Sequence, residues 1–184
     1  FYPLHYEPEA VLLYMSYFHD NQLTLIENIL KCLPENKILV VKEHPQQPGV
    51  LLQKKFKAIK KRYPNLAFIM AEHNSADILK SSSTIITLGS TAGLEALALG
   101  LKVVNLGKVF YDSFENVINC TSFEQVYSAL KYVELESYTS GDITLFLAKM
   151  LCYLKDGYPF PHEELYYDSN LKSLIRAIEN EISK

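Results

Sequence analysis

What this chain lacks narrows its role before any motif is read. It has three cysteines, Cys32, Cys120 and Cys152, odd in number, far apart and without metal-ligand spacing. That pattern argues against a disulfide framework or a zinc module. It leaves the three as small buried hydrophobes of a reducing compartment. Long apolar runs are also missing, since stretches such as LEALALGLKVV are interrupted by Gly, Glu and Lys well short of the ~20 residues a membrane span needs. Strong charge of one sign is absent too: 18 basic residues against 21 acidic ones give a formal charge of −3, with a pI near 6.0. Such a balance offers no electrostatic footprint for nucleic acid. There is no low-complexity segment, no signal-peptide pattern in the opening FYPLHY, no HExxH, no nucleophile elbow, no P-loop lysine and no dinucleotide fingerprint.

What is present is an ordinary globular composition, 48% apolar and 21% charged over 184 residues, enough for one domain with appendages and a real core. Strand-like runs ILVVK, LAFIM, STIITL and KVVNLG alternate with helical segments. The helices are NQLTLIENILKCL, expected to be capped by Asp20, then VLLQKKFKAIKKRY, a short one capped by Ser75 and running through Leu79, GSTAGLEALALG and TSFEQVYSALKYVE, the last capped by Thr121 or Ser122. Two more helices are expected near 141–154 and 169–183, with KDGYPFPHEELYYDSN as an irregular connection. Strands alternating with helices at short intervals predict an α/β fold, a Rossmann-like parallel sheet with helices on both faces. Residues 1–160 are expected to form that domain and 161–184 a connection and C-terminal helix. The start at Phe1, directly on an apolar segment, leads us to expect an N-terminal domain outside this chain.

In open parallel sheets ligands bind beyond the carboxyl ends of strands, and two unusual motifs fall there. The first is KEHP, with Lys42, Glu43, His44 and Pro45 at a strand tip. Lys42 reads as a phosphate or packing contact and Glu43 as its ion-pair partner. The second is LGSTAGLEA, where Gly89 permits a tight exit, Ser90 and Thr91 offer hydroxyls at a helix start, Gly93 allows close approach and Glu95 can accept from a ribose diol. Taken alone, each motif also fits a plain reading in which Ser90 or Thr91 is a helix cap and His44 a hydrogen-bonded strand-end histidine. Together they can grip one diphosphate or phosphodiester. His73, Phe110 and Tyr111 follow other strands and are candidate base or sugar contacts, with loop and core roles as the alternatives. The basic run KKFKAIKKRY reads as a solvated helix face.

With these residues in view, the chain resembles the capsule polysaccharide biosynthesis family, whose better-understood members are bacterial glycosyltransferases of GT-B architecture that include Kdo transferases. The resemblance is carried by FYPLHYEPEA, DNQLTLIENILKCLP, LVVKEHP with Gly49, ITLGSTAGLEALALGLKVVNLG and VFY, over about residues 1–111. It implies the C-terminal, donor-binding half of such an enzyme. His44 and Pro45 would then contact the donor phosphate, Gly89, Ser90 and Thr91 would form the phosphate-binding turn, and Glu95 would follow it. His44 is the residue given a catalytic, charge-neutralising role. Where the family tends to carry small hydroxyl residues after PEA and an Arg after the Gly, this chain has Val11, Leu12 and Val50.

The resemblance further implies a nucleotide sugar, CMP- or UDP-linked, as substrate rather than a cofactor, with no metal. The acceptor would be a glycan or a lipid-linked molecule, met through the missing domain. The expected setting is cytoplasmic, with peripheral association at the inner membrane face. Alternatives of the same architecture are a nucleotide-sugar epimerase, a polyol-phosphate transferase or a noncatalytic interaction module.

Overall fold

The computed structural model describes residues 1–7, 21–132, 140–152 and 167–182. Two compact units divide the chain, Phe1–Ser140 and Gly141–Lys184. The first holds strands β1 (Tyr2–Pro3), β2 (Leu39–Lys42), β3 (Leu66–Ile69), β4 (Thr84–Thr87), β5 (Lys102–Asn105) and β6 (Val117–Asn119). Its helices are α1 (Gln22–Cys32), α2 (Lys54–Arg62), α3 (Ser75–Lys80), α4 (Thr91–Ala98) and α5 (Phe123–Lys131). Helix α6 (Ser140–Leu151) and helix α7 (Asp168–Ile182) lie at the second unit.

All strand pairs are parallel, in two three-stranded sheets ordered β1-β2-β3 and β4-β5-β6. The sheets adjoin at Phe1, whose backbone nitrogen donates to the Thr84 carbonyl at 2.7 Å while Ile86 N–H donates to the Phe1 carbonyl at 2.8 Å. Across that seam the strands run β3-β2-β1-β4-β5-β6, the doubly wound order in which the crevice between β1 and β4 is the topological switch point. The ladder there stops for a chemical reason. Its next donor would be residue 3, and Pro3 has no N–H.

Alternation along the strands sorts the core. Tyr2 and Leu4, Leu39 and Val41, Ile86 and Leu88, Val104 and Leu106 join α1, α2 and α5 residues in one buried cluster. Ile85 and Val103 point the other way, where α4 packs on β4 and β5. Helix α1 buries Leu25, Ile26, Ile29 and Leu30 at helical spacing, with Leu23 and Leu33 at the margin of the cluster. The cap of α1 is Asn21, which accepts from Thr24 N–H at 3.1 Å; Asp20 lies outside the described residues. Likewise Asn74, not Ser75, caps α3, accepting from Ala76 N–H at 2.9 Å. An Asx side chain reaches the N2 or N3 amide without strain, so the residue before the expected cap takes the role in α3. Ser122 caps α5. Two strands went unread in the sequence, β1 and β6, of two and three residues. The VLLQKKFKAIKKRY segment divides into a 3-10 turn, Val50–Leu52, and α2. Cys32 and Cys120 are buried, whereas Cys152, expected inside, is exposed. The KDGYPFPHEELYYDSN connection falls mainly outside the described residues.

Candidate functional site

The carboxyl edge of the first unit is built from the exits of β1, β2 and β4. At the tip of β2 the charged pair turns inward. Lys42 is 1% exposed, and its ammonium donates to the carbonyls of Glu43 (3.1 Å) and Ala71 (3.2 Å). Burial pulls its pKa below the ordinary lysine value, opposed by the charges of Glu43 and Glu72. Glu43, equally buried, accepts from Leu51 N–H (2.7 Å) through one carboxylate oxygen and from Ala71 N–H (3.2 Å) through the other. The pair therefore knots the ends of β2 and β3 to the 3-10 turn, and it is taken up by backbone groups.

His44 comes next and stands at the surface, half-buried, edge-on to Tyr6 at 5.9 Å between centroids. Its Nδ1 accepts from Gln46 N–H at 3.2 Å. In a neutral imidazole that bond leaves the proton on Nε2, which becomes the donor available to a ligand. Pro45 occupies the second position of a turn closed by Gln47 N–H to the His44 carbonyl at 2.9 Å, the place where its fixed φ is favoured.

That turn sends Gln47 back across the exit of β1. Its amide Nε2 donates to the Glu7 carbonyl (2.6 Å) and its Oε1 accepts from Glu7 N–H (3.0 Å). Gln22 of α1 does the same for His5, accepting from His5 N–H (2.7 Å) and donating to the His5 carbonyl (3.0 Å). Its remaining capacity goes to Tyr2 Oη, which donates to it at 3.2 Å, and to the Glu7 carboxylate at 2.7 Å. Two glutamine amides thus imitate a neighbouring strand where β1 itself has ended. Glu7, Gln22 and Gln47 were not singled out in the sequence. The readable signal was Gln22, an amide on the stripe with Ile26 and Ile29 that periodicity assigns to the core. Glu7, Gln22, His44, Gln47, Val50 and Lys55 are among the residues lining a cavity of about 220 Å³.

The exit of β4 is arranged differently. Thr87 is buried and its Oγ1 accepts from both Gly89 N–H (3.1 Å) and Ser90 N–H (2.8 Å). Ser90 caps α4 through Oγ to Ala92 N–H (3.0 Å), and its carbonyl accepts from Gly93 N–H (3.1 Å) and from Tyr111 Oη. Gly89 has φ 123°, a conformation that glycine supplies without strain. The close approach at Gly93 is made by Tyr111, since a Cβ there would sit 2.2 Å from its hydroxyl oxygen. Thr91 and Glu95, one turn apart on α4, are exposed.

Of the aromatic candidates, Tyr111 is buried, with burial raising its pKa, and Phe110 is exposed beside it. His73 is exposed after β3 and lines a separate cavity of about 450 Å³. The Gly89–Thr91 turn is not among the residues lining the His44 cavity. In strand order β2 and β4 flank β1, so the two motifs stand about 10 Å apart at the ~4.8 Å strand spacing.

A doubly wound parallel sheet flanked by helices defines a Rossmann-like domain of the kind that forms one half of a GT-B protein. Comparison with known proteins carries this a step further. Residues 14–115 match the capsule polysaccharide biosynthesis protein family, and the chain belongs to that family. Protein FixF of Sinorhizobium fredii (strain NBRC 101917 / NGR234) is 29% identical over 117 residues, covering 63% of this chain and 26% of FixF. Among solved structures, Thermosulfurimonas dismutans KpsC, a beta Kdo 2,7 transferase, shares the fold with a TM-score of 0.50 and 23% identity, over 70% of this chain and 43% of that one. The chain therefore spans about a quarter of one relative and less than half of the other. Among the described residues no helix is long and apolar enough to cross a membrane.

Proposed function

We propose that this chain is the donor-binding half of a glycosyltransferase of surface-polysaccharide synthesis, holding a nucleotide sugar across the switch point. The observation that carries the reading is the His44 imidazole just beyond β2, whose Nδ1 is occupied by the Gln46 amide so that a neutral ring carries its donor proton on Nε2. On the other side of β1 the α4 N-terminus, with Thr91 at its first position, supplies the partial positive charge of a helix start. Between them a diphosphate or phosphodiester would be met by His44 and Thr91, since the N–H groups of Gly89, Ser90, Ala92 and Gly93 are bonded within the turn. Their contribution to transfer would be electrostatic, neutralising charge on the departing phosphate, at a cost of about 2.7–4 kcal/mol for each donor lost. Glu95 would accept from the ribose of the donor. The acceptor hydroxyl and its base would come from a second domain, so this half is expected to be inactive by itself. A cytosolic donor would place the protein in the cytoplasm, working on a glycan or lipid-linked acceptor at the inner membrane face.

The test is calorimetric titration of the full-length protein with CMP, UDP, GDP, CMP-Kdo and UDP-sugars. His44→Ala is expected to weaken binding on the order of tenfold to a hundredfold, the worth of one hydrogen bond to a charged group. Binding unchanged in His44→Ala would remove His44 from the site. A second reading rests on Thr87 and Ser90, whose side chains already take the N–H groups of Gly89, Ser90 and Ala92. A turn so closed on itself suits an interaction module, and failure of every nucleotide to bind would favour that reading.

A further inference from the structure

The 220 Å³ cavity beside His44 is too small for a whole nucleotide sugar, whose sites run to about 300–1,000 Å³. It holds the volume of about seven waters at ~30 Å³ each, the room of one sugar ring. Its lining is rich in polar groups, with Asn21, Gln22, Gln47 and Gln53 beside the carboxylate of Glu7, His44 and Lys55. Most of that polarity is committed. Gln22, 3% exposed, spends both lone-pair positions on His5 N–H and Tyr2 Oη, and both N–H groups on the His5 carbonyl and Glu7. Gln47 gives one lone-pair position and one N–H to the Glu7 backbone and keeps one of each. Gln22 therefore cannot also bind a ligand without losing a bond, whereas Gln47 can. What they do is fix Glu7: its N–H and carbonyl are held by one amide, and one carboxylate oxygen by the other. The carboxylate retains several lone-pair sites, in a cavity that is also lined by a donor, His44.

We propose that Glu7 is the hydroxyl-binding residue of a sugar-ring subsite in this cavity, with Gln22 and Gln47 as its positioning residues. A hydroxylated ring is the occupant whose chemistry fits: its O–H groups donate to a carboxylate, and its ring and hydroxyl oxygens accept from His44. An apolar ring would leave the carboxylate desolvated and unpaired. The inference rests on the donor-binding reading, whose assignment of the ribose to Glu95 makes the transferred sugar the occupant expected here; a ribose in this cavity is the other source of the same chemistry and would move that assignment.

The experiment compares the full-length protein with its Glu7→Ala variant. Because Gln47 holds the Glu7 backbone and the residue is exposed, the variant is expected to fold, with its thermal unfolding lowered by the one Gln22 N–H left unmet. The ligands are CMP, UDP, their 2′-deoxy forms and UDP-glucose. If the ribose sits here, Glu7→Ala weakens CMP and UDP on the order of tenfold to a hundredfold and erases the preference for ribose over deoxyribose. If the transferred sugar sits here, CMP and UDP bind Glu7→Ala normally and UDP-glucose loses its added affinity. Nucleotides and conjugate all binding Glu7→Ala as they bind the parent would overturn the subsite while leaving the donor-binding reading intact. Should no nucleotide bind the parent, that reading fails, and the subsite is decided by free ribose and free glucose. A shift of the Gln22 side-chain amide signals with either sugar, seen in the parent and absent in Glu7→Ala, sustains it; no shift overturns it.

Discussion

At the scale of single residues, Gly93 is where close packing speaks most clearly. Alanine is a better helix former than glycine by about 1 kcal/mol, yet the added Cβ would stand 2.2 Å from Tyr111 Oη and 2.8 Å from Tyr111 Cζ. Overpacking of that kind costs about 1–3 kcal/mol. Gly93→Ala is expected to lower stability in urea titrations, Tyr111→Phe to relieve it only in part, and Gly93→Ala in a Tyr111→Ala background to be neutral or stabilising. The cysteines make a second case. Burial raises the Cys120 thiol from 9.0 to about 11. The folded chain therefore keeps a proton that the unfolded chain releases in this window, and stability falls as pH rises through it. Cys120→Ala is expected to flatten that part of the stability-against-pH curve. Burial also raises the Cys32 thiol, whereas Cys152 is exposed. Iodoacetamide at pH 8 is expected to label Cys152 alone in the native protein and all three thiols in urea, as mass spectrometry would report.

At the scale of elements, each of α1, α3, α4 and α5 begins on a side-chain cap. Ser90→Ala is expected to cost about 1 kcal/mol through the lost cap whether or not a ligand binds there. The comparison that separates the two effects is Ser90→Ala against Asn74→Ala, a cap away from both motifs: equal losses in stability, with nucleotide affinity reduced only at Ser90. Glu43→Ala would strand the amides of Leu51 and Ala71 and cost about 1–3 kcal/mol for each buried donor left unmet. Elements with eight or more residues and a strong period were legible in the sequence, as were the four strands rich in branched side chains. Strands β1 and β6 were not, because two or three residues carry no alternation to read. The placement of the caps one residue early in α3 has the same origin, since Asn74 and Ser75 are both good caps and only backbone geometry chooses between them. At the strand exits, the places of His44 just beyond β2 and of Ser90 and Thr91 just beyond β4 were readable. The inward turn of Lys42 and Glu43 was not, because their partners are backbone groups of residues 51 and 71, distant in sequence. Glu7 was hidden in the same way, its setting being made by Gln22 and Gln47.

At the scale of the whole molecule, the first unit carries two three-stranded parallel sheets that adjoin along its least hydrogen-bonded line. Pro3 ends the β1–β4 ladder after the single pair of bonds at Phe1, while Tyr2, Leu4, Ile86 and Leu88 close the seam with side chains in the shared core. The halves on either side carry full ladders of their own. Amide hydrogen exchange should resolve this division. The amides inside β2 and β5 are expected to exchange only through global unfolding, while Ile86 N–H, whose acceptor is the Phe1 carbonyl, exchanges at lower free energy through a local opening. A proline beside the seam thus leaves the two ladders joined there by side chains beyond one pair of hydrogen bonds, a zip fastener open at one end, and the groups that read as donor contacts stand on opposite sides of that end.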